Sequence, residues 1–244
     1  MRGRGAVSLV FALVLSGCGL ETVETLATPN ADFTNTVLVP SSAQQVSFLH
    51  SAAPYQGSVF QGYYVYYKVY TSVSIDFSRL QADRDTLAAS STYQKLEAMG
   101  YSRLSVSGKA LGTTPPSSDS PLDLEPLFLT GLADGDKVTL DFSEFLKAGA
   151  TPYLSRPVLK LNDVIAPSKP YLYRSSLLAT GHVSFWDLPT SVKSTDPDVA
   201  DWPTTDTHLP GKEINIFLVA YGMTGTLQTV YSKPVPWGVI RSPQ

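Results

Sequence analysis

A single cysteine, Cys18, is all the thiol chemistry in this chain of 244 residues. With no second thiol, an internal disulfide is impossible whatever the redox state of the compartment. Histidine is nearly as scarce: His50, His182 and His208 are scattered along the chain. Charged residues make up only 16% and the formal net charge is -3. Nucleic-acid binding needs clustered lysine and arginine, so that class is excluded, and no basic surface is offered to anionic headgroups. Catalytic signatures are missing as well. The chain has no G-x-S-x-G elbow, H-E-x-x-H helix, S-x-x-K pair, P-loop or dinucleotide fingerprint. Long apolar runs are absent too. The longest, Ala6 to Leu15, is broken only by Ser8, and its helical length of about 15 Å is half a hydrocarbon core.

That short run has a context. Arg2 and Arg4 precede it, and Leu15, Ser16, Gly17 and Cys18 follow at its end, which is the layout of a secretory signal. Leu15 to Cys18 resembles the lipobox of bacterial lipoprotein precursors. The resemblance implies a signal peptide over residues 1–17, cleavage before Cys18, and acylation of that cysteine. Small side chains at Ser16 and Gly17 let the scissile bond enter a narrow intramembrane protease site. Each buried acyl CH₂ contributes about 0.8 kcal/mol, so two or three chains would hold the protein on a bilayer without a membrane helix. The expected address is the bacterial cell envelope, at the outer membrane or the periplasmic face of the inner one. Losing Arg2 and Arg4 with the leader would leave the rest more acidic.

Residues 18–36 show no sustained period and read as a flexible tether, with a reach of roughly 20–25 Å. Residues 37–244 read as one β-rich domain with short β-type runs at Val37–Val39 and Val46–Leu49. The clearest signal is Phe60 to Tyr70, FQGYYVYYKVY. From Tyr63 it alternates Tyr63, Val65, Tyr67, Val69 with Tyr64, Tyr66, Lys68, Tyr70, a period of two that specifies a strand. The face with Lys68 is expected to be the less buried. Residues 78–99 then read as a helix broken near Ser90, or two short ones. Ser91 to Gln94 matches a capping box, and Gly100 stands where a helix C′ glycine belongs. Arg103–Ser107, Pro126–Thr130 and Lys137–Phe142 follow as strands, the last two forming a hairpin around Asp134-Gly135-Asp136. A Pro/Ser loop, Thr113–Pro121, separates the first from the second. Further strands are expected at Pro152–Leu161, Tyr171–Leu178, His182–Trp186, Glu213–Tyr221 and Thr229–Ile240.

Two segments carry a second resemblance. GYYVYYKVY is similar to strand C of a fibronectin type III domain, and Ile214 to Ile240 to its F strand, FG loop and G strand. The arrangement resembles uncharacterised spirochaete lipoproteins that combine a lipobox, a strand like Phe60–Tyr70, a helical insert ending near Leu96–Tyr101, and a closing Y-S-K-P-V, here Tyr231 to Val235. The resemblance implies a mainly β, fibronectin type III or immunoglobulin-like β-sandwich with a helical insertion. That family carries no assigned activity, so the resemblance implies fold and address, not chemistry; with the catalytic signatures missing, no catalytic role and no cofactor are expected.

Two constellations are candidates for chemistry. Asp196, Asp198, Asp201, Asp206 and His208 share one proline-containing loop and could offer hard ligands to Ca²⁺, or Asp206 and His208 to Zn²⁺. The spacing is not that of an EF-hand, and a solvated acidic loop is the plainer reading. The tyrosine face Tyr64, Tyr66, Tyr70, with Lys68, would suit a carbohydrate or protein partner if exposed. Alternatively the helical insert covers it, and at least one of Tyr64 and Tyr66 is expected to be buried. The resulting expectation is a binding or adhesion module, then a structural subunit of an envelope assembly, with an enzyme of unknown class ranked third.

Overall fold

The computed structural model describes residues 26–29, 32–33, 44–55, 59–70, 75–107, 124–142, 157–167, 171–174, 185, 196–200 and 213–241. Two long strands from opposite halves of the chain, β3 (Val59–Tyr70) and β12 (Glu213–Met223), pair antiparallel over their whole lengths. Beyond β12 run β13 (Thr229–Tyr231) and β14 (Val235–Arg241). Beyond β3 run β4 (Ser102–Arg103) and β7 (Phe128–Thr130). A second antiparallel sheet holds β1 (Asp32–Phe33), β2 (Gln45–Leu49), β8 (Lys137–Asp141), β9 (Val158–Leu161) and β10 (Val164–Ile165), in that order. A small third sheet is β11 (Leu172–Tyr173), β5 (Ser105–Ser107) and β6 (Leu124–Pro126).

Alternation in the sequence becomes two faces of the sheet. Tyr63, Val65, Tyr67 and Val69 of β3 join Ile214, Ile216, Leu218 and Ala220 of β12 in the main core. Val46, Phe48, Val138 and Leu140 meet them from the second sheet. The Phe48 ring stands edge-on to Trp237 at 5.0 Å and to Tyr63 at 5.5 Å, so the two sheets interdigitate. Each such side chain contributes about 1.5–3 kcal/mol by leaving water. The protein is mainly β, with antiparallel sheets arranged as in a sandwich.

Between β3 and β4 the chain forms α1 (Ile75–Ala88) and α2 (Gln94–Ala98). Leu80, Arg84 and Leu87 are buried at helical spacing on one face of α1. The break falls at Ser90, where predicted, but Ser91 caps nothing. Tyr93 occupies the N-cap position in a helical conformation without a side-chain cap bond. Ser90 shapes the turn instead, its Oγ accepting from the Thr92 N–H at 3.3 Å and donating to the Thr92 carbonyl at 3.0 Å. At the other end Gly100 behaves as read, with φ +80. Its N–H donates to the Glu97 carbonyl and that of Tyr101 to the Leu96 carbonyl, both at 3.0 Å, a Schellman closure. A Cβ on Gly100 would lie 3.0 Å from the Pro197 carbonyl oxygen. Gly100→Val is therefore expected to lose at least the roughly 1–2 kcal/mol of left-handed strain. A thermal melt would show a lower midpoint; an unchanged one would mean that the turn rebuilds without its glycine.

Several expectations are corrected. The Asp134-Gly135-Asp136 turn does not close a hairpin, because β7 pairs with β3 and β8 with β2 and β9. The end of β2 takes the turn's polar groups. His50 N–H donates to the Asp136 carbonyl and Gly135 N–H to the His50 carbonyl, both at 2.8 Å, while Asp134 accepts from the Ala52 N–H. The turn thus carries the chain from sheet to sheet. The run at Arg103–Ser107 likewise divides at Leu104, whose N–H donates to Val65 while β5 leaves for the third sheet. Pro234 interrupts the closing strand, and Ser232 repairs the gap. The Ala220 N–H donates to Ser232 Oγ at 2.9 Å, and that hydroxyl donates to the Lys233 carbonyl. A further hairpin, not expected from the sequence, forms at Asn162–Asp163, where φ values of 50 and 64 build the two-residue turn between β9 and β10. Finally, the chain joins the domain earlier than Val37. Leu26 and Pro29 are buried, and Asp32–Phe33 pairs with β2.

Candidate functional site

Of the four residues on the predicted ligand face, three are inside the protein. Tyr66, Lys68 and Tyr70 are buried at 0%, 6% and 1%, and only Tyr64 is half-exposed. The helices are the cause. Leu87 of α1 and Leu96 of α2 pack with Tyr101 over Tyr66, Phe217 and Val219, the outward residues of β3 and β12. Lys68 fits there because its charge is used. Its Nζ donates to the Met99 carbonyl at the end of α2 at 2.7 Å and meets Asp83 of α1 at 3.3 Å, where a cation complements the helix dipole.

The network continues inward. Tyr70 donates to Asp83 at 2.6 Å and shares a hydrogen with Tyr101 at 2.9 Å, and Asn215 Nδ2 donates to Tyr101 at 2.7 Å. Burial pushes the phenols of Tyr70 and Tyr101 far above their ordinary range, reinforced at Tyr70 by Tyr101 and Asp83. Both stay neutral and act as hydrogen-bond bridges rather than acid–base groups. The arrangement fastens α1 and α2 to the sheet.

What remains accessible is the end of that face beyond the helices. Phe128 on β7 stands directly opposite Tyr64, and Tyr231 on β13 directly opposite Tyr221 on β12. The rings run in a continuous series: Phe128 to Tyr64 at 4.8 Å, Tyr64 to Tyr221 at 5.5 Å, Tyr221 to Tyr231 at 5.2 Å, and Tyr231 stacked on Tyr93 at 4.1 Å. All five are half-buried, with one side to solvent. The Arg103 guanidinium lies 4.5 Å over the Tyr64 ring and donates to Tyr66 at 3.0 Å, with Glu97 3.7 Å away. Burial opposes its charge, but the hydrogen bond to Tyr66, with Glu97 nearby, outweighs that, and its pKa is raised. The patch is a set of aromatic faces beside one fixed cation and one carboxylate. Gly62 makes room for it, since a Cβ there would meet the Phe128 ring at 2.9 Å and the Leu129 carbonyl at 2.3 Å. Sequence reasoning reached Tyr64 alone; Phe128, Tyr221, Tyr231 and Arg103 come together through strand register, and Tyr93 joins them from the start of α2.

The acidic loop divides in two. Asp201, Asp206 and His208 lie outside the described residues, but Asp196 and Asp198 are buried rather than solvated. Arg174, itself fully buried, grips Asp198 through Nε and Nη2 and meets Asp196 at 2.8 Å, while Tyr67 donates to Asp198. Burial alone would pull the guanidinium pKa down; the hydrogen bonds and charge of Asp198 reverse it, and it lies well above its ordinary value. These carboxylates already have their cation. Among the described residues, no group of three His, Cys, Asp or Glu side chains is placed to hold a metal ion.

Leu15, Ser16, Gly17 and Cys18 lie outside the described residues, as do Val37–Val39, Thr113–Pro121, His182 and residues 152–156 and 175–178. Of His182–Trp186 only Phe185 is described, and it is buried. No described helix is long and apolar enough to cross a membrane. No protein-family model, curated protein or solved structure matches the chain.

Proposed function

We propose that the chain is a lipid-anchored protein of a bacterial envelope, held through acyl chains on Cys18, whose β-domain is a non-catalytic binding or adhesion module. The observation that carries the binding role is the half-exposed aromatic series of Tyr64, Phe128, Tyr221, Tyr231 and Tyr93 with Arg103 over Tyr64. Stacked rings with an adjacent charge suit the CH-rich faces and hydroxyl groups of a carbohydrate, or a peptide with aromatic or acidic side chains. The fibronectin type III reading is supported by the antiparallel order β3–β12–β14, in which a C-like strand neighbours an F-like strand and that a G-like one. In that reading α1 and α2 are the insertion.

The two halves of the proposal are tested separately. Cys18→Ser is expected to leave a longer, unacylated precursor that no longer enters the detergent phase. A variant that still gains lipid, or matures to the same mass, would end the anchor reading. For the surface, the wild-type protein is expected to co-sediment with purified envelope polysaccharide, and Tyr64→Ala to abolish this while changing stability by about 1 kcal/mol or less. Wild-type retention by Tyr64→Ala would remove the patch as the site.

A further inference from the structure

Among the described residues, three large apolar side chains stand exposed: Leu49 at 44%, Val164 at 68% and Leu227 at 77%. Single exposed leucines and valines are ordinary. These three, far apart in sequence, are brought by strand register to one end of the two facing sheets. Leu49 stands opposite Lys137 at the end of β2. Val164 follows the β9–β10 turn, whose Asn162 N–H donates to the Lys137 carbonyl at 2.8 Å. His50, next after Leu49, stacks on Phe60 at 5.6 Å, and Phe60 is opposite Gly222 near the end of β12. Leu227 is at the tip of the β12–β13 hairpin that begins there.

Leu227 carries a second mark. Its φ is 64, a left-handed conformation that a leucine adopts only when the surroundings impose it. The turn does so through Thr224. Leu227 N–H donates to the Thr224 carbonyl at 2.9 Å, Thr224 N–H to Gln228 at 2.8 Å, and Gln228 N–H to Thr224 Oγ1 at 3.1 Å. The side chain is thus held out into solvent. From Tyr221 to Tyr231 no residue is charged.

The amino-terminal chain arrives at the same end. β1 starts at Asp32, opposite Leu49, and Leu26 shortly before it is already in the main core. From Cys18 to Leu26 an extended chain spans at most about 28 Å. An acylated Cys18 would therefore keep the domain close to the headgroups.

We propose that this end of the domain rests on the bilayer that anchors the chain, with Leu227 entering the headgroup–acyl boundary. The inference rests on the anchor reading above. An uncharged tip ending in an exposed leucine fits the interfacial layer, where contact scales with buried apolar area. Electrostatics selects the lipid. Asp134, Asp136 and Asp163 lie at this end against Lys137, which is paired with Asp163 at 2.8 Å. The surface it suits is zwitterionic, not anionic.

The test uses the full acylated protein in phosphatidylcholine vesicles. Leu227→Cys and, on exposed α2, Lys95→Cys are each labelled with a polarity-sensitive dye, because the sulfur of an acylated Cys18 does not react. The label at 227 is expected to emit to the blue of the label at 95 and to be quenched by shallow lipid-borne spin labels, with phosphatidylglycerol weakening both effects. Flotation of the same samples reads the anchor independently. Protein that does not float overturns the anchor and, with it, the contact as drawn. Protein that floats while both labels emit as in water overturns the contact alone. A 227 label shielded only after envelope extract is added assigns this end to a protein partner and also overturns it. Effects that grow with phosphatidylglycerol overturn the choice of lipid.

Discussion

Arg174→Met is expected to destabilise the domain by roughly 3–5 kcal/mol, the typical loss when one partner of a buried ion pair is removed. The total stability of a domain is only about 5–15 kcal/mol, so much of it would go. The reason lies in what is left behind. Asp196 and Asp198 are buried at 3% and 0%, and methionine fills the volume of the guanidinium without its charge or its donors. The damage spreads because the site joins three segments. Arg174 follows β11, Tyr67 is in the centre of β3, and the loop of Asp196 and Asp198 is hydrogen-bonded to the edge of β3. Val69 N–H donates to the Asp198 carbonyl at 2.9 Å and Ala200 N–H to the Val69 carbonyl at 2.8 Å. Adding Asp196→Asn and Asp198→Asn to Arg174→Met should restore part of the loss, since no charge is then stranded. Urea titration of the single and triple variants reads both effects. A single variant that melts like wild type, or a triple variant weaker than the single, would refute this account.

The second large effect is at Tyr66. Tyr66→Ala empties a fully buried site between β3 and the helices and is expected to cost roughly 3–5 kcal/mol, as truncation of a core aromatic does. Tyr66→Phe keeps the ring and loses the bonds to Arg103 and Glu97, at a cost of about 1 kcal/mol. Tyr64→Ala, two residues away on the same face, should fall near that smaller value because one side of its ring is already in water. Denaturant midpoints in the order wild type, Tyr66→Phe, Tyr66→Ala check the assignment. Equal midpoints for Tyr64→Ala and Tyr66→Ala would mean that the helices do not cover one tyrosine and spare the other.

The contrast between those neighbours shows what the sequence could reveal. Period-two alternation from Tyr63 to Tyr70 was enough to specify a strand and sort its faces, because side-chain direction is a local property of extended backbone. Gly100 was legible for a similar reason, a left-handed position having few candidates besides glycine. Burial of the second face was not local. It depends on where Leu87 and Leu96 land, and Lys68 looked like a mark of solvent because its partners, Asp83 and the Met99 carbonyl, belong to elements whose docking the sequence does not encode in any nearby pattern. The acidic loop misled in the same way. Asp196 and Asp198 looked solvated until Arg174, from another sheet, was brought against them. The Asp134-Gly135-Asp136 turn carried correct local chemistry but a wrong partner, since strand pairing is decided by the whole sheet.

The position of β12 also sets an order of events in time. This strand is hydrogen-bonded on both sides and buried over most of its length, yet its principal partner, β3, ends at Tyr70 and is made long before it. Pairings between such distant segments close slowly, commonly in milliseconds to seconds for β-rich domains. Until residues 213–223 arrive, β3 lacks the partner along its longest paired edge, and an open edge on an apolar strand is the kind of segment that seeds aggregation. The emerging polypeptide must be kept from its neighbours until β12 has been made.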